Sequence, residues 1–320
     1  MGKICMKAVF LGTTDFARIV LEGLLDKCPK ELLEIVGVVC QPDKKRGRNP
    51  FHPVKELALE RKLDLIQPEN INQPEPRQWI SEKNPDLLLV AAYGQILKKK
   101  TLDLAPLGSF NLHASLLPRY RGASPIHHAI LAGEKETGVT VQKMVRKLDA
   151  GPILVQKKIP ISEEESTRTL SPKLAQLGVE ACLEALELLE SGNYHLIPQR
   201  EEEASYAPLL RREDGEMDWT QDSFYLHCFI RAMDDWPGSW THFFREGKPP
   251  LRVTIHKALP VEGKGEPGEV LQASKELIVA TGKGALKILE LTPQAKKRIS
   301  FRDFINGYAV RKGNRFGKSS

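Results

Sequence analysis

The chain has 320 residues, of which 41% are hydrophobic and 28% are charged, and its formal net charge is +6 at pH 7. This length exceeds what one hydrophobic core usually holds, so we expect two domains, and no apolar run approaches the ~20 residues of a membrane-spanning helix. The five cysteines are scattered, odd in number and form no CxxC pair, which argues against a zinc knuckle and a disulfide framework.

The first half of the chain alternates short apolar runs with helical patterns. Its opening residues contain no long apolar stretch with a small-residue cleavage site, so we expect no signal peptide and a cytoplasmic location. Runs rich in Val, Leu and Ala are typical of parallel strands buried on both faces, and they cover residues 7–11, 34–40 and 86–92. Crossover helices are predicted at residues 15–25, 53–61 and 73–82. This βαβ rhythm predicts an α/β fold with a doubly wound, mostly parallel, Rossmann-like sheet.

The same domain continues to a long helix. Strands are predicted at 109–113 and 138–144, and helices at 125–132 and 168–190. Because Ser191-Gly-Asn193 ends the last helix, we assign residues 1–193 to the first domain.

Residues 194–210 lack a convincing hydrophobic periodicity and contain two prolines, which predicts a surface linker.

Residues 211–320 show a different pattern of predicted elements. One helix is predicted at 222–233, and short β segments at 251–256, 276–280 and 286–290 are separated by Gly and Pro turns. This pattern predicts a small, OB-like β-barrel domain, a type that commonly binds nucleic acid.

The positive charge is concentrated in that C-terminal domain, where residues 211–320 hold 19 Lys and Arg against 14 Asp and Glu. Such a bias suits a polyanionic partner, but charge alone leaves a solvated basic tail equally open.

The first strand is followed by Gly12-Thr-Thr-Asp-Phe, at the place where a dinucleotide fingerprint stands in many doubly wound folds. Only one of the three glycines of G-x-G-x-x-G is present, so NAD binding is not expected. The eight histidines show no metal-ligand spacing, and no metal cofactor is expected.

Three polar residues stand out near the predicted sheet edge. Asn111 and His113 are two residues apart on one strand, so their side chains share a face. Asp149 stands before Ala-Gly, at a turn that leads into the next strand. Taken singly, such a histidine is more often a core residue and such an aspartate more often a turn former. Their combination at strand ends of an open α/β sheet, where sites commonly form, favours a catalytic site.

The sequence around these residues resembles the 10-formyltetrahydrofolate transformylase family. The matching motifs are Asn-x-His followed by Ser-Leu-Leu-Pro-Arg-Tyr-Arg-Gly-Ala-Ser-Pro, and Leu-Asp149-Ala-Gly-Pro. The resemblance implies formyl transfer from 10-formyltetrahydrofolate as co-substrate, with Asn111, His113 and Asp149 as catalytic residues. It also implies a folate-binding loop formed by Ser115, Leu116, Leu117 and Pro118.

Further stretches resemble the members of this family that formylate methionyl-tRNA. They include Gln41-Pro-Asp43, Trp236-Pro-Gly238 and the long run from Leu291 to Gly307, and they span both domains. This resemblance implies initiator Met-tRNA as partner and residues 211–320 as a tRNA-binding domain. Two departures are Thr14, where the family pattern has Pro, and a shorter loop at residues 42–53.

Two basic regions are the candidates for tRNA contact. The candidate residues are Lys44, Lys45, Arg46, Arg48, Lys296, Lys297 and Arg298. Two alternatives stay open. One is an N-formyltransferase that uses the same core on a sugar or small amine, and the other is a non-catalytic tRNA-binding protein of this fold. A monomer is expected.

Overall fold

The computed structural model of the chain describes residues 5–43 and 51–318. The chain divides into two compact units. The N-terminal unit comprises Met1–Pro125, Glu136–Pro160 and Leu170–Pro208, and the C-terminal unit comprises Ile126–Lys135, Ile161–Thr169 and Leu209–Ser320. The division into domains 1–193 and 211–320 with a linker at 194–210 stays a prediction. Two short segments of the predicted first domain, Ile126–Lys135 and Ile161–Thr169, belong to the C-terminal unit.

The N-terminal unit is built on a seven-stranded sheet with strand order β3-β2-β1-β4-β5-β6-β7. The strands are β1 Met6–Gly12, β2 Leu33–Val39, β3 Leu65–Ile66, β4 Leu87–Ala91, β5 Gly108–His113, β6 Glu136–Lys143 and β7 Ile153–Pro160. The strands β1 to β5 pair in parallel, whereas β6 pairs antiparallel with both of its neighbours, β5 and β7. The predicted α/β class with a doubly wound, mostly parallel sheet is confirmed.

Helices lie between these strands along the chain, and a last, long helix follows β7. They are α1 Asp15–Lys27, α2 Pro53–Glu60, α3 Pro74–Glu82, α4 Lys99–Leu102, α5 Pro125–Leu131 and α6 Thr167–Ser191. The start of α1 explains one departure from the family pattern. The Thr14 hydroxyl accepts a hydrogen bond from the Ala17 amide (3.4 Å), so Thr14 caps the helix, a role that proline cannot fill with its side chain.

The C-terminal unit contains a second, antiparallel sheet with strand order β10-β11-β12-β9-β8-β14, and β13 pairs with β12. Its elements are α7 Ser223–Ala232, β8 Ser239–Arg245, β9 Lys248–Val261, β10 Val270–Ala273, β11 Leu277–Ala280, β12 Ala285–Pro293, β13 Ile299–Ser300, α8 Phe301–Tyr308 and β14 Arg315–Gly317. The predicted strand at 276–280 coincides with β11 to within one residue, and those at 251–256 and 286–290 lie inside the longer strands β9 and β12.

This second sheet curls back on itself. The Val270 amide donates to the Asn314 carbonyl (2.8 Å), and the Gly313 amide donates to the Val270 carbonyl (2.9 Å), so the segment leading into β14 meets β10. Phe243, Phe304 and Phe316 are buried inside, with ring centroids of Phe243 4.9 Å from Phe316 and 5.2 Å from Phe304. The curled antiparallel sheet confirms the predicted OB-like architecture.

The cysteines are free thiols, and all five lie within the described residues. Burial raises the pKa of Cys40 to about 11 and that of Cys182 to about 12, so both stay protonated at neutral pH. In residues 5–43 and 51–318, no helix combines the length and apolarity that crossing a bilayer requires.

Candidate active site

The candidate site lies where β5 and β6 face the loop between β6 and β7. Asn111 and His113 stand on β5, and the antiparallel register places Asn111 opposite Gln142 and His113 opposite Thr140. Asp149 belongs to the loop that joins β6 to β7. The structure therefore brings together the three residues that the sequence singled out, although a helix and a whole strand separate His113 from Asp149.

The carboxylate of Asp149 accepts hydrogen bonds on both oxygens. Its Oδ1 faces the Nε2 of Gln142 at 3.0 Å and the Nδ2 of Asn111 at 3.4 Å, and its Oδ2 accepts from the Gly122 amide at 3.0 Å. Donors of this kind fix the orientation of the carboxylate. Because the Asp149 side chain is only 10% exposed, these contacts act in a largely desolvated environment.

The ring of His113 is held by a hydrogen bond at one of its two nitrogens. Its Nε2 lies 2.8 Å from the Tyr120 carbonyl oxygen, and a carbonyl only accepts, so Nε2 carries the proton and donates. Its Nδ1 lies 3.7 Å from Oδ2 of Asp149, a distance longer than a hydrogen bond. Nδ1 therefore faces the carboxylate across a gap that leaves it available to a reacting group.

The backbone around the site contains two non-glycine residues with positive φ, Tyr120 at 61° and Asp149 at 48°. Positive φ is uncommon outside glycine, and such residues cluster at functional sites. Gly122 has φ of 120°, a conformation essentially limited to glycine, and a Cβ there would lie 2.6 Å from the Ala207 carbonyl oxygen. The amide that binds Asp149 is thus delivered by a position that only glycine fits.

Chemically, the arrangement offers fixed donors and one carboxylate beside a buried imidazole. An amide Nδ2 and a ring nitrogen suit the stabilisation of a developing oxyanion, and a carboxylate suits proton transfer. Among the described residues, no three His, Cys, Asp or Glu side chains are grouped so as to hold a metal ion.

The predicted folate loop follows β5 directly. Ser115 is fully buried and its hydroxyl donates to the Arg119 carbonyl (2.6 Å), while the Leu117 amide donates to Oγ1 of Thr140 (3.1 Å). Leu116 and Pro118 are partly exposed, whereas Leu117 is buried. Ser115 and Leu117 thus shape the loop from inside, and Leu116 contributes to its outer surface. The assignment of all four to folate binding stays a prediction.

Three residues at this site were not found by sequence reasoning. They are Gln142, Gln199 and Arg121, which are linked to one another and to the Asp149 loop by hydrogen bonds. Gln142 is a polar residue in the buried part of β6, and its place at the site follows only from the β5–β6 register.

Comparison with known proteins places this site in a family. The profile described as Formyl transferase matches residues 6–186, and the profile described as Formyl transferase, C-terminal domain, matches residues 209–309. The methionyl-tRNA formyltransferase of Caldanaerobacter subterraneus subsp. tengcongensis is 43% identical over 316 residues, which cover 96% of this chain and 99% of that protein. The chain belongs to the methionyl-tRNA formyltransferase family.

Solved structures support the fold of this formyltransferase. WlaRD, a sugar 3N-formyl transferase, matches with a TM-score of 0.64 at 19% identity and covers 92% of this chain and 100% of its own. HypX from Aquifex aeolicus in complex with tetrahydrofolic acid matches with a TM-score of 0.61 at 20% identity, covering 95% of this chain and 47% of its own.

The structure describes only some of the basic residues that are expected to contact tRNA. Lys44, Lys45, Arg46 and Arg48 lie outside the described residues. Lys296, Lys297 and Arg298 follow β12 and are exposed. The Arg298 guanidinium lies 2.6 Å from Oε2 of Glu290, so its charge is already partly neutralised. Their role in tRNA binding stays a prediction.

The C-terminal unit also contains a groove with a basic surface. It has a volume of about 920 Å³, and its cationic lining residues are Arg245, Arg311, Lys312, Arg315 and Lys318. Asp218 and Glu246 also reach it, as do the aromatic rings of Trp219 and Phe244. Arg311, Lys312 and Arg315 are exposed, and none of the three forms an ion pair with another described residue. The groove therefore combines unneutralised positive charge with aromatic surface.

Proposed function

We propose that this chain transfers the formyl group of 10-formyltetrahydrofolate to the α-amino group of initiator methionyl-tRNA, giving N-formylmethionyl-tRNA for translation initiation. The observation that carries the proposal is the assembly of Asn111, His113 and Asp149 at one site of a chain that is 43% identical, over both units, to a methionyl-tRNA formyltransferase. Tetrahydrofolate bound to the structurally similar HypX supports the folate donor.

In the first step the amine nitrogen attacks the formyl carbon, a C–N bond forms, and the formyl oxygen becomes an oxyanion. The Nδ2 of Asn111 is a fixed donor for that oxygen, since its orientation is set by Oδ1 of Asp149. Nδ1 of His113 donates as well when the ring carries both protons, a cationic form with which the nearby Asp149 carboxylate interacts favourably.

In the second step the bond between the formyl carbon and the folate nitrogen breaks. The attacking amine must lose a proton, and the leaving folate nitrogen must gain one. Asp149 is the group placed to accept the first proton and to return it, directly or through water, because its carboxylate is held by hydrogen bonds and lies beside His113. A free α-amine titrates near ~8, so a strong base is not needed.

The surface that we propose for tRNA binding includes two basic segments of the C-terminal unit. Lys296 and Lys297 supply exposed charges after β12, and the groove segment from Arg311 to Lys318 supplies a denser set. Exposed cations of this kind neutralise phosphates and release counterions, whereas aromatic rings such as Phe244 give a base a surface to stack on. We assign phosphate tracking to both segments, together with the Lys44 to Arg48 stretch.

The proposed enzyme works as a cytoplasmic monomer, since each catalytic residue comes from one chain and the acceptor is an aminoacylated tRNA. Light scattering at assay concentration tests this point, and a dimer that dissociates with loss of activity would contradict it.

The test of the proposed function is formyl transfer from 10-formyltetrahydrofolate to initiator Met-tRNA, to elongator Met-tRNA and to an amino sugar. We expect turnover with initiator Met-tRNA at a kcat/KM at least ~10²-fold above that for the other two, a margin typical of sites that recognise specific polar groups. Equal turnover with the amino sugar would overturn the acceptor assignment, and tRNA binding without turnover would overturn the enzymatic one.

A further inference from the structure

Two glutamines connect the catalytic carboxylate to the segment that leads out of the N-terminal unit. Gln142 lies on β6 and is 1% exposed, and Gln199 follows α6 and is half-buried. Gln142 donates to Oδ1 of Asp149 at 3.0 Å. Gln199 donates to the carbonyl oxygens of Asp149 at 2.9 Å and Gly151 at 2.7 Å, and its Nε2 also lies 3.3 Å from Oε1 of Gln142.

The orientation of both side-chain amides is fixed by groups that can act in only one way. The Gly151 amide can only donate, and it lies 3.1 Å from Gln142, so that end of the side chain is the oxygen. The opposite end, which faces Asp149, must then be the NH2 group. For Gln199 the two backbone carbonyls can only accept, and Nε of Arg121 can only donate to its Oε1 (3.1 Å). Neither side chain can turn over without losing at least two hydrogen bonds.

Arg121 anchors the outer end of this chain of contacts. Its side chain is fully buried, and Nη1 donates to Oε2 of Glu201 at 2.9 Å. The backbone repeats the connection, because the Arg121 amide donates to the Ser205 carbonyl (2.8 Å) and the Ala207 amide donates to the Arg121 carbonyl (2.7 Å). Residues 199–207 are therefore bound to the loop that carries Gly122, the donor to Oδ2 of Asp149.

We propose that Gln142 and Gln199 are positioning residues for formyl transfer, which hold the Asp149 carboxylate in its reactive orientation. Gln142 acts on the carboxylate itself, and Gln199 acts on Gln142 and on the backbone of the Asp149 loop. Asp149 has φ of 48°, so the loop needs such external support to keep its conformation. The proposal rests on the proposed function, since it concerns the rate of that reaction.

Four charged or titratable groups lie around this network. They are His113 on β5, Arg121 on the loop after β5, and Lys147 and Glu201, which form an ion pair with each other. A carboxylate placed at position 142 would face Asp149 from about the 3.0 Å that now separates the Gln142 amide from it. Like charges at that distance oppose each other's ionisation strongly.

The experiment compares Gln142→Met, Gln142→Glu and Gln199→Met with Thr101→Val. Thr101 is a fully buried residue of α4, outside the site, whose hydroxyl donates to Oδ1 of Asn72 at 2.9 Å. Its replacement removes one buried hydrogen bond and serves as the matched stability control. Steady-state kcat, both KM values, the thermal midpoint and the pH profile of kcat are measured for each variant.

We expect Gln142→Met to lower kcat by about 10- to 100-fold and Gln199→Met by about 3- to 10-fold, with both KM values within about threefold of wild type. Thr101→Val should lower the thermal midpoint by a few degrees and leave kcat unchanged. A folded Gln142→Met protein with wild-type kcat would overturn the proposal.

Gln142→Glu decides the matter if the methionine variants do not fold, since it keeps the side-chain length and still accepts from Gly151. The acid limb of its pH profile should move to higher pH by about one unit or more, a change that a purely structural role does not produce. A profile identical to that of wild type would count against the proposal. Failure of the wild-type protein to formylate Met-tRNA would instead refute the proposed function.

Discussion

Polar groups are buried and hydrogen-bonded at the candidate active site of the N-terminal unit, whereas they are exposed in the basic groove of the C-terminal unit. At the site, the Asp149 side chain is 10% exposed and both of its oxygens accept hydrogen bonds. In the groove, Arg311, Lys312 and Arg315 are exposed and have no ion-pair partner among the described residues.

Because of this difference, variants of the two regions should change different kinetic quantities. A buried, hydrogen-bonded carboxylate acts through fixed geometry, so its removal should appear in the rate of the chemical step. Exposed cations act through long-range, salt-screened attraction, so their removal should appear in KM and in the dependence on ionic strength. Each variant below is chosen to break or to sharpen that separation.

The largest effect is expected for Asp149→Asn. The asparagine keeps the shape but cannot accept a proton, and its NH2 group meets the donors that now bind the carboxylate. We expect the single-turnover rate of formyl transfer to fall by about 10²- to 10⁴-fold with saturating tRNA and folate. Asp103→Asn is the control, because Asp103 is an exposed carboxylate paired with Lys99 in the same unit. A rate within a few-fold of wild type would remove Asp149 from the mechanism.

An intermediate effect is expected for the triple variant Arg311→Ala, Lys312→Ala and Arg315→Ala. We expect KM for tRNA to rise about tenfold or more while kcat changes less than about threefold, because the groove lies outside the catalytic site. The slope of log kcat/KM against log salt should become shallower by roughly 0.7 to 0.9 for each phosphate that the variant no longer neutralises.

The matched control for the groove variant removes the same charge elsewhere. Lys98, Lys99 and Lys100 are exposed in the N-terminal unit, and their triple alanine variant should leave the salt slope close to that of wild type. Equal changes in the two triple variants would show that net charge, and not the groove, attracts the tRNA.

The smallest effect concerns the stability of the C-terminal unit in acid. Burial, followed by the positive charge of Arg298, lowers the pKa of His256, whose Nε2 lies 2.8 Å from Oγ1 of Thr292. The unfolded chain therefore binds this proton at a higher pH than the folded chain does, and stability is lost as the pH falls below about 6.5.

His256→Gln removes that proton-binding group, so its thermal midpoint should decline less between about pH 7 and pH 5, by roughly a degree or two, while kcat at neutral pH is retained. His195→Gln, at an exposed position, is the control. An unchanged decline in His256→Gln would show that other groups set the acid stability of this unit.

Much of the fold was predictable because its signals are local. The apolar runs at 7–11, 34–40 and 86–92 became β1, β2 and β4, since a strand buried on both faces needs apolar side chains at nearly every position. Strands β8, β10 and β14 were missed. They are short or carry polar residues at alternate positions, and β14 joins the sheet only by pairing with β8, which is distant in sequence.

The candidate site divides in the same way. Asn111 and His113 share a face because of the two-residue repeat of a strand, which the sequence itself determines. The contribution of Gln142 depends on the β5–β6 register, and that of Gln199 depends on where the segment after α6 crosses the Asp149 loop. Both are long-range interactions that no local pattern encodes.

By itself, the sequence determined the α/β class of the first half, because this follows from the periodicity of its apolar runs. It also singled out Asn111, His113 and Asp149, because their motifs resemble those of the transformylase family. Only the tertiary structure decided how Asp149 is held. Its hydrogen-bond donors come from β5, β6 and the loop after β5, which are separated in sequence and meet only when the sheet has formed.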